Sequence, residues 1–230
     1  MFALTRPPQA MRTLRVLAAL LGYPAAEMRA HLEEMGELLQ AEAALSPARL
    51  QELRALITVL QRGDAIELEA DYVQLFDRGR ATALHLFEHV HGDSRDRGPA
   101  MIDLAQTYAQ AGLLLGPNEL PDYLPAVLEF ASTLTPREAR DFIGEFAHIL
   151  NVLFNALQQR NSAYASVLGA LLELAGESAQ AVKIAAEEPL DESWAEPVVF
   201  DGCSSKGQAR PGQPQPITVV RKNPSTGVVA

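Results

Sequence analysis

Cysteine is almost absent from this sequence. The 230 residues contain one cysteine, Cys203, so no disulfide can form within the chain and packing alone must stabilise the fold. A lone free cysteine favours a reducing compartment, and we expect a cytoplasmic protein. The longest uninterrupted apolar run, 16–22, is far shorter than the ~20 residues that a membrane-spanning helix needs. The sequence therefore predicts no direct membrane insertion.

Basic residues are also scarce. Nineteen lysines and arginines stand against 29 aspartates and glutamates, a formal net charge of -10. A protein that bound by neutralising phosphates would have the opposite balance, so we expect no nucleic-acid partner. Residues 1–188 hold 25 acidic and 15 basic residues, whereas 189–230 hold four of each. An acidic body of this kind favours basic partners.

Valine and isoleucine are few beside alanine and leucine. The chain has 36 Ala and 33 Leu against 14 Val and 7 Ile. Because good helix formers dominate, an all-β sandwich or barrel is excluded. The predicted fold class is all-α, a single globular helical bundle with a Pro/Gly-rich, largely disordered C-terminal tail.

Apolar residues recur at helical spacing almost everywhere up to residue 188. The clearest helix follows Ser46-Pro47, an N-cap with proline at the first helical position. A second apolar stripe, 142–157, follows Thr135-Pro136, where Glu138 completes a capping box. Further helices are predicted at 13–21, 25–44, 65–77, 80–90, 99–115, 121–133, 162–175 and 177–188.

The helical periodicity separates two parts of the chain. No period of 20 to 50 residues recurs, which excludes a helical solenoid, and residues 1–188 are predicted to form one helical domain, with 1–10 disordered. Residues 189–230 contain six prolines and four glycines and have no helical periodicity, which is typical of a disordered or extended tail. Two short apolar pieces, 198–200 and 217–220, are candidates for docking as extended strands.

One stretch, 72–98, concentrates histidine and arginine. Its His85-x-x-Glu88-His89 fits the H-x-x-E-H pattern of inverzincin peptidases. On a helix, His85 and His89 would lie one turn apart on the same face, where both could ligate zinc with Glu88 as base. The pattern fixes only three positions and no third ligand stands out. We therefore favour histidines in polar networks, and we predict no metal and no cofactor.

Four arginines in the same stretch raise a second hypothesis. They are Arg78, Arg80, Arg95 and Arg97. Guanidinium groups bind carboxylates or phosphates in bidentate fashion, so they could receive an anionic group of a partner or cofactor. We favour internal pairing with Asp77, Asp93 and Asp96, which would clamp the loops between helices and leave some arginines free at a surface groove.

Catalytic motifs are missing. The sequence has no nucleotide-binding glycine loop and no G-x-S-x-G elbow. Cys203 has no neighbouring base in the sequence, so nucleophilic catalysis has no support. A helical chain without a catalytic constellation favours a binding protein, for example a general helical adaptor, over an enzyme.

The charged stretch also carries a resemblance. Residues 72–80, YVQLFDRGR, followed by 86–98, LFEHVHGDSRDRG, closely resemble the signature of the NarJ family, the assembly chaperones of respiratory nitrate reductase. The resemblance continues in LLGYP at 20–24, ELPDYLP at 119–125 and WAEP at 194–197, so it covers most of the chain. His85, which the zinc hypothesis requires, lies outside the family motif.

The resemblance implies an all-helical cytoplasmic chaperone that is not an enzyme. It would bind the N-terminal segment of the catalytic subunit of membrane-bound nitrate reductase in its apo form. It would keep that subunit open for insertion of the molybdenum cofactor and delay membrane docking. Proteins that deliver the cofactor are a further implied partner, and the chaperone itself would be a monomer or a homodimer. This work requires a groove with apolar pockets and an acidic surround for a basic peptide.

The residues that match the signature are the candidates for binding this peptide. The predicted groove consists of Tyr72, Leu75, Phe76, Phe87 and His89. The predicted charge partners are Asp77, Glu88, Asp93 and Asp96, and the remaining candidates are Arg78, Arg80, His91, Arg95 and Arg97. For the apolar members of the groove, a place in the core is an equal alternative. Protonation of the two histidines is predicted to change peptide affinity between pH 5 and 8.

Overall fold

The structure, a computed structural model, describes residues 11–92, 94–117 and 119–182. Within these ranges the chain forms α1 (Met11–Leu21), α2 (Ala26–Ala30), α3 (Leu32–Glu42), α4 (Pro47–Arg62), α5 (Ala65–Tyr72), a π-helix (Val73–Asp77), a 3-10 turn (Arg80–Thr82), α6 (Leu86–His91), α7 (Arg97–Gln110), α8 (Leu124–Ala131), α9 (Pro136–Glu145), α10 (Ala147–Gln159) and α11 (Ala165–Ala175). In the described ranges the only β contact is an isolated antiparallel bridge between His85 and Tyr123. The predicted all-α fold class is confirmed.

Leucines from many helices form the main core. Helix α11 packs against α10, α9 and α4, and α1 packs against α8 and α3. Leu17 of α1, Leu153 of α10 and Leu168 of α11 are completely buried at the centre of this cluster. A smaller apolar cluster of Leu104, Tyr108 and Phe130 joins α7 to α8. These apolar contacts hold the bundle together, since burial of a leucine side chain contributes about 1.5–3 kcal/mol.

Capping chemistry sets the helix starts that the sequence predicts best. The Ser46 hydroxyl accepts a hydrogen bond from the Arg49 N–H, and Pro47 is the first residue of α4. Thr135 and Glu138 form the predicted capping box at the start of α9. The hydrogen bond from Thr135 lowers the pKa of the Glu138 carboxyl. Both predictions are confirmed.

Two apolar stripes that predict single helices are broken in the structure. The predicted helix 25–44 divides at His31, and the stripe up to residue 157 divides at Phe146. Both residues have φ near -100° and ψ near zero (-101° and 4°, -96° and 2°). Each N–H bonds to the carbonyl three residues earlier instead of four. These tight turns re-aim the chain. The pieces on both sides still contact the core, although α2 does so only through half-buried Met28.

Several predicted boundaries are also wrong. Helix α7 ends at Gln110 and not at 115, because Gly112 takes a left-handed φ of +81° just after it. Helix α6 begins only at Leu86, α8 only at Leu124 and α11 only at Ala165. Residues 177–182 form neither helix nor strand. The other predictions for 1–10 and 183–230 lie outside the described residues. None of the helices in the described ranges has the length and hydropathy needed to cross a bilayer.

Candidate functional site

The first part of the signature forms an unusual turn. After Tyr72 the helix widens into the π-helix, where the Arg78 N–H donates to the Val73 carbonyl at 3.1 Å. Gly79 follows, and a Cβ at this position would lie 2.6 Å from the Leu75 carbonyl and would also overlap the Thr82 hydroxyl. That buried hydroxyl donates to the carbonyls of Leu75 and Gly79. The turn therefore requires glycine, because no side chain fits the closed loop.

Aromatic rings pack around Tyr72. Its ring lies 4.8 Å from that of Phe76, 5.5 Å from that of Tyr23 and 6.2 Å from that of Tyr164, measured between centroids. The Tyr72 hydroxyl donates to the Leu21 carbonyl at 2.8 Å. Burial strongly raises the pKa of Tyr72, so this tyrosine stays neutral. Such edge-on and tilted ring pairs stabilise a fixed arrangement of the cluster.

The carboxylate of Asp122 is the polar centre of the site. It is completely buried and accepts a hydrogen bond from the Phe87 N–H at 3.2 Å. His85 Nδ1 lies 3.4 Å from one of its oxygens, and Arg97 Nη2 lies 3.7 Å from the other. The partners come from two stretches of chain, the start of α6 and the start of α7. Because a buried carboxylate needs such partners, Asp122 fixes the start of α6 and α7 to the 119–125 loop.

The contact with Asp122 favours the protonated form of His85. The hydrogen bond to Asp122 raises the pKa of the His85 imidazole, and partial burial opposes this effect. The Tyr123 ring lies 5.3 Å from the imidazole, and the backbone bridge between these two residues holds both in place. A protonated His85 is thus stabilised at the edge of the aromatic cluster.

These parts enclose a pocket that we call the aromatic pocket. It has a volume of about 230 Å³ and is lined by Tyr23, Tyr72, Phe76, Asp77, Leu84, His85 and Tyr123. The walls are aromatic, and the carboxylate of exposed Asp77 stands at the rim. An apolar side chain fits such walls, and a neighbouring cation fits such a rim.

The structure brings only some of the predicted groove residues together. Tyr72, Phe76 and Asp77 line the aromatic pocket. Leu75 and Phe87 are half-buried and pack against the core, which matches the alternative that places them in the interior. His89 is tied down, because its Nε2 donates to the Ala83 carbonyl at 2.8 Å.

His91 and the charged candidates lie around α6. The His91 ring makes an edge contact with Phe87 at 5.5 Å. Arg97 pairs with Glu88 at 3.3 Å as well as with Asp122. The predicted internal clamp thus exists for Arg97, but its carboxylates are not the aspartates that we named.

The other charges of the signature have different surroundings. Asp96 exchanges hydrogen bonds with Ser94 and forms no ion pair with any arginine of the described ranges. Arg78, Arg80 and Arg95 are exposed, and none forms an ion pair with another described residue. Asp93 lies outside the described residues. The exposed arginines leave room for an anionic group of a partner.

The geometry behind the zinc hypothesis is wrong. His85 precedes the first residue of α6, so it does not share a helical face with His89. His85 contacts Asp122, whereas His89 contacts the Ala83 carbonyl. Across the described part of the chain, no group of three or more His, Cys, Asp or Glu residues is arranged to hold a metal ion.

Sequence reasoning missed two features. Asp122 lies in the ELPDYLP segment at 119–125, which carries part of the resemblance but none of the predicted site residues. The second feature, which we call the leucine groove, has a volume of about 380 Å³ and is lined by Arg15, Tyr108, Leu113, Leu114, Leu115, Glu119, Ala126, Glu129, Phe130 and Thr133. Leu114 is 89% exposed there. The sequence predicts a helix through residue 115, whereas the structure has a loop after Gln110, so this groove could not be anticipated.

Known proteins resemble this chain over most of its length. The nitrate reductase delta subunit family matches residues 25–169. The nitrate reductase molybdenum cofactor assembly chaperone NarJ of Escherichia coli (strain K12) is 43% identical over 183 residues, covering 80% of this chain and 77% of that protein. The probable assembly chaperone NarJ of Bacillus subtilis (strain 168) is 34% identical over 160 residues, covering 70% and 86%.

The fold also resembles a solved structure. The crystal structure of an Archaeoglobus fulgidus protein assigned to redox enzyme maturation aligns with a TM-score of 0.52 at 19% sequence identity. The alignment covers 77% of this chain and all of that chain. At this identity the likeness shows a shared fold.

Proposed function

Because the chain belongs to the nitrate reductase delta subunit family, we propose that it is an assembly chaperone for the catalytic subunit of a respiratory nitrate reductase. It acts in the cytoplasm and catalyses no reaction of its own. It binds the N-terminal segment of the apo subunit and keeps the subunit competent for molybdenum cofactor insertion. It acts before the subunit docks at the membrane. Proteins that deliver the cofactor bind to the complex of the chaperone and the catalytic subunit.

The aromatic pocket is the observation that carries this proposal for the binding site. It is the place where the π-helix, the start of α6 and the 119–125 loop meet. Its aromatic walls suit an apolar anchor residue of a peptide. The carboxylate of Asp77 stands at its rim, and the acidic balance of residues 1–188 adds a wider attraction for basic residues of the peptide.

The rim carboxylate gives the sharpest binding test. We expect calorimetric titration of the full chain with the N-terminal peptide of the catalytic subunit to give binding. Asp77→Lys should weaken it about tenfold, which is ~1.4 kcal/mol, because the variant repels a basic residue. Asp103→Lys, a charge reversal at an exposed position on α7, should leave the affinity unchanged. Equal effects of the two variants would contradict a site at the aromatic pocket.

The leucine groove offers a second place for the same peptide. Leu114→Asp would remove its most exposed apolar side chain. If the aromatic pocket is the site, this variant binds the peptide as the wild type does. A strong loss with Leu114→Asp together with no loss from Asp77→Lys would move the site to the leucine groove.

The chaperone role itself has a direct test. We expect the catalytic subunit isolated from cells that lack this protein to contain much less molybdenum cofactor than the subunit from wild-type cells. Cells that carry the protein with Asp77→Lys should fall between the two. A fully loaded subunit in the absence of the protein would support a general helical adaptor instead.

A further inference from the structure

Two asparagines on α10 hold a stretch of backbone that is neither helix nor strand. Asn151 Nδ2 donates to the Gln180 carbonyl at 3.0 Å, and Asn151 Oδ1 accepts from the Gln180 N–H at 2.9 Å. Asn155 Nδ2 donates to the same carbonyl at 2.8 Å, and Asn155 Oδ1 accepts from the Val182 N–H at 3.3 Å. Both side-chain amides thus face the backbone of residues 180–182. We call this pair the amide clamp.

The spacing of the clamp matches an extended chain. Asn151 and Asn155 are four residues apart, so they rise by about 6 Å along the helix. Two residues of an extended strand advance by about 6.6 Å. An i, i+4 pair of amides on a helix can therefore bond alternate N–H groups of a strand that runs alongside it.

The clamp uses only backbone groups of the bound segment. The side chains of residues 177–181 are exposed, and Val182 is half-buried. The N–H groups of Ala179 and Ala181 make no hydrogen bond among the described residues, so the bonded N–H groups alternate as along the edge of a sheet. Nothing in the contact selects particular side chains.

The resident segment is held only marginally. Its contact through the two asparagines consists of four hydrogen bonds, and the side chains of 177–181 stay exposed. Hydrogen bonds exchanged with water give a small net gain, which is comparable to the entropy cost of ordering a few residues. A free chain that is extended can therefore compete for the same groups.

We propose that the amide clamp is a binding site for extended polypeptide backbone, that residues 180–182 are its resident occupant, and that an unfolded segment of a partner protein takes their place. The site lies on α10, whose clamp residues do not line the aromatic pocket. This inference rests on the proposed chaperone function only for the identity of the natural partner. The clamp would hold unfolded segments whatever their side chains.

Amide hydrogen exchange in the full chain tests the resident contact. We expect the N–H groups of Gln180 and Val182 to exchange at least about fivefold more slowly than those of Ala179 and Ala181, after correction for intrinsic rates. The double variant Asn151→Leu/Asn155→Leu should remove the difference. Equal exchange of all four groups in the wild type would overturn the proposal.

Proline substitutions in the full chain test the exchange of occupants. Gln180→Pro/Val182→Pro removes both donated N–H groups, whereas Ala181→Pro leaves them in place and is the matched control. Two fluorescein-labelled peptides serve as probes, one with the sequence of residues 177–182 and one with the same residues in scrambled order. Fluorescence anisotropy measures the affinity of each peptide. We expect both peptides to bind about fivefold more tightly to Gln180→Pro/Val182→Pro than to Ala181→Pro.

Three outcomes would overturn the proposal. They are the absence of peptide binding to Gln180→Pro/Val182→Pro, binding that survives Asn151→Leu/Asn155→Leu, and binding that depends on the peptide sequence. Unfolding curves establish that each variant is folded at the assay temperature. The N-terminal peptide of the catalytic subunit is titrated separately, so a failure of the proposed chaperone function is seen independently of a failure of the clamp.

Discussion

The leucine core and the signature region, by which we mean residues 72–98 together with the 119–125 loop, are built on different principles. In the core, α1, α10 and α11 contribute many leucines that share one task, and each is surrounded by others of its kind. In the signature region, single groups have tasks that no neighbour duplicates, such as the Asp122 carboxylate and the Cβ-free space at Gly79. The core therefore sets the global stability, whereas the signature region sets the shape of one pocket.

The largest expected effect lies in the core. Leu153→Ala should lower the free energy of unfolding by about 2–5 kcal/mol, because it removes a buried side chain and leaves a cavity. Urea denaturation followed by circular dichroism measures the change. Leu114→Ala is the control, and its exposed side chain should change stability by less than about 0.5 kcal/mol. Folded Leu153→Ala should still bind the N-terminal peptide, since the pocket is elsewhere.

Asp122→Ala should lower the free energy of unfolding somewhat less than Leu153→Ala does, but it should strongly weaken peptide binding. We expect a loss of about 2–3 kcal/mol, because the Phe87 N–H and the cationic partners of Asp122 lose their acceptor. Peptide binding should weaken more than tenfold, since His85 and Tyr123 lose the anchor that positions them. Asp122→Asn keeps one carbonyl acceptor and should have a smaller effect on both measurements. Unchanged binding by folded Asp122→Ala would break the contrast between the two regions.

Gly79→Ala should have the next smaller effect. A Cβ would overlap the Thr82 hydroxyl and the Leu75 carbonyl, and we expect a loss of about 1–2 kcal/mol from the forced shift. Gly98→Ala is the matched control, because a Cβ at Gly98 in α7 meets nothing within 4 Å. That variant should be neutral or slightly stabilising. Equal midpoints in urea would contradict a steric requirement at Gly79.

The smallest effect is a pH dependence at His85. Its folded-state pKa is raised by Asp122, so folding favours the protonated imidazole. The stabilisation is fully present below the unfolded pKa of ~6.5 and is lost as the pH rises through the raised folded value. Wild-type stability relative to His85→Asn should therefore fall as pH increases across this window. Urea midpoints of both proteins at several pH values measure it, and a constant difference would contradict the ion pair.

The sequence predicts those parts of the fold that depend on local chemistry. Helix α4 and the start of α9 follow from Ser46-Pro47 and from the capping box at Thr135, because caps act within one turn. The breaks at His31 and Phe146 cannot be predicted from the sequence pattern, since the apolar stripe continues across both. Only the three-dimensional structure shows the tight turn at each of these positions.

The site is harder to predict than the fold. Tyr72, Phe76 and Asp77 are found by the signature, but Asp122 is not, because aspartate is rarely buried and its partners lie at least 25 residues away in sequence. His89 does not line the aromatic pocket, and its position is hard to predict for a related reason. A ring nitrogen that bonds to the Ala83 carbonyl cannot be recognised from spacing alone.

The ring of Tyr72 has a consequence for how the protein is made. Its hydroxyl contacts Leu21 and Tyr123, each 51 residues away, and its ring contacts Tyr164. Closing such long loops is slow compared with pairing adjacent helices such as α10 and α11. During synthesis, the ring cluster around Tyr72 can be completed only after Tyr164, near the C-terminal end of the described bundle, has left the ribosome. The chain thus completes this cluster late, after most of the described helices have been synthesised.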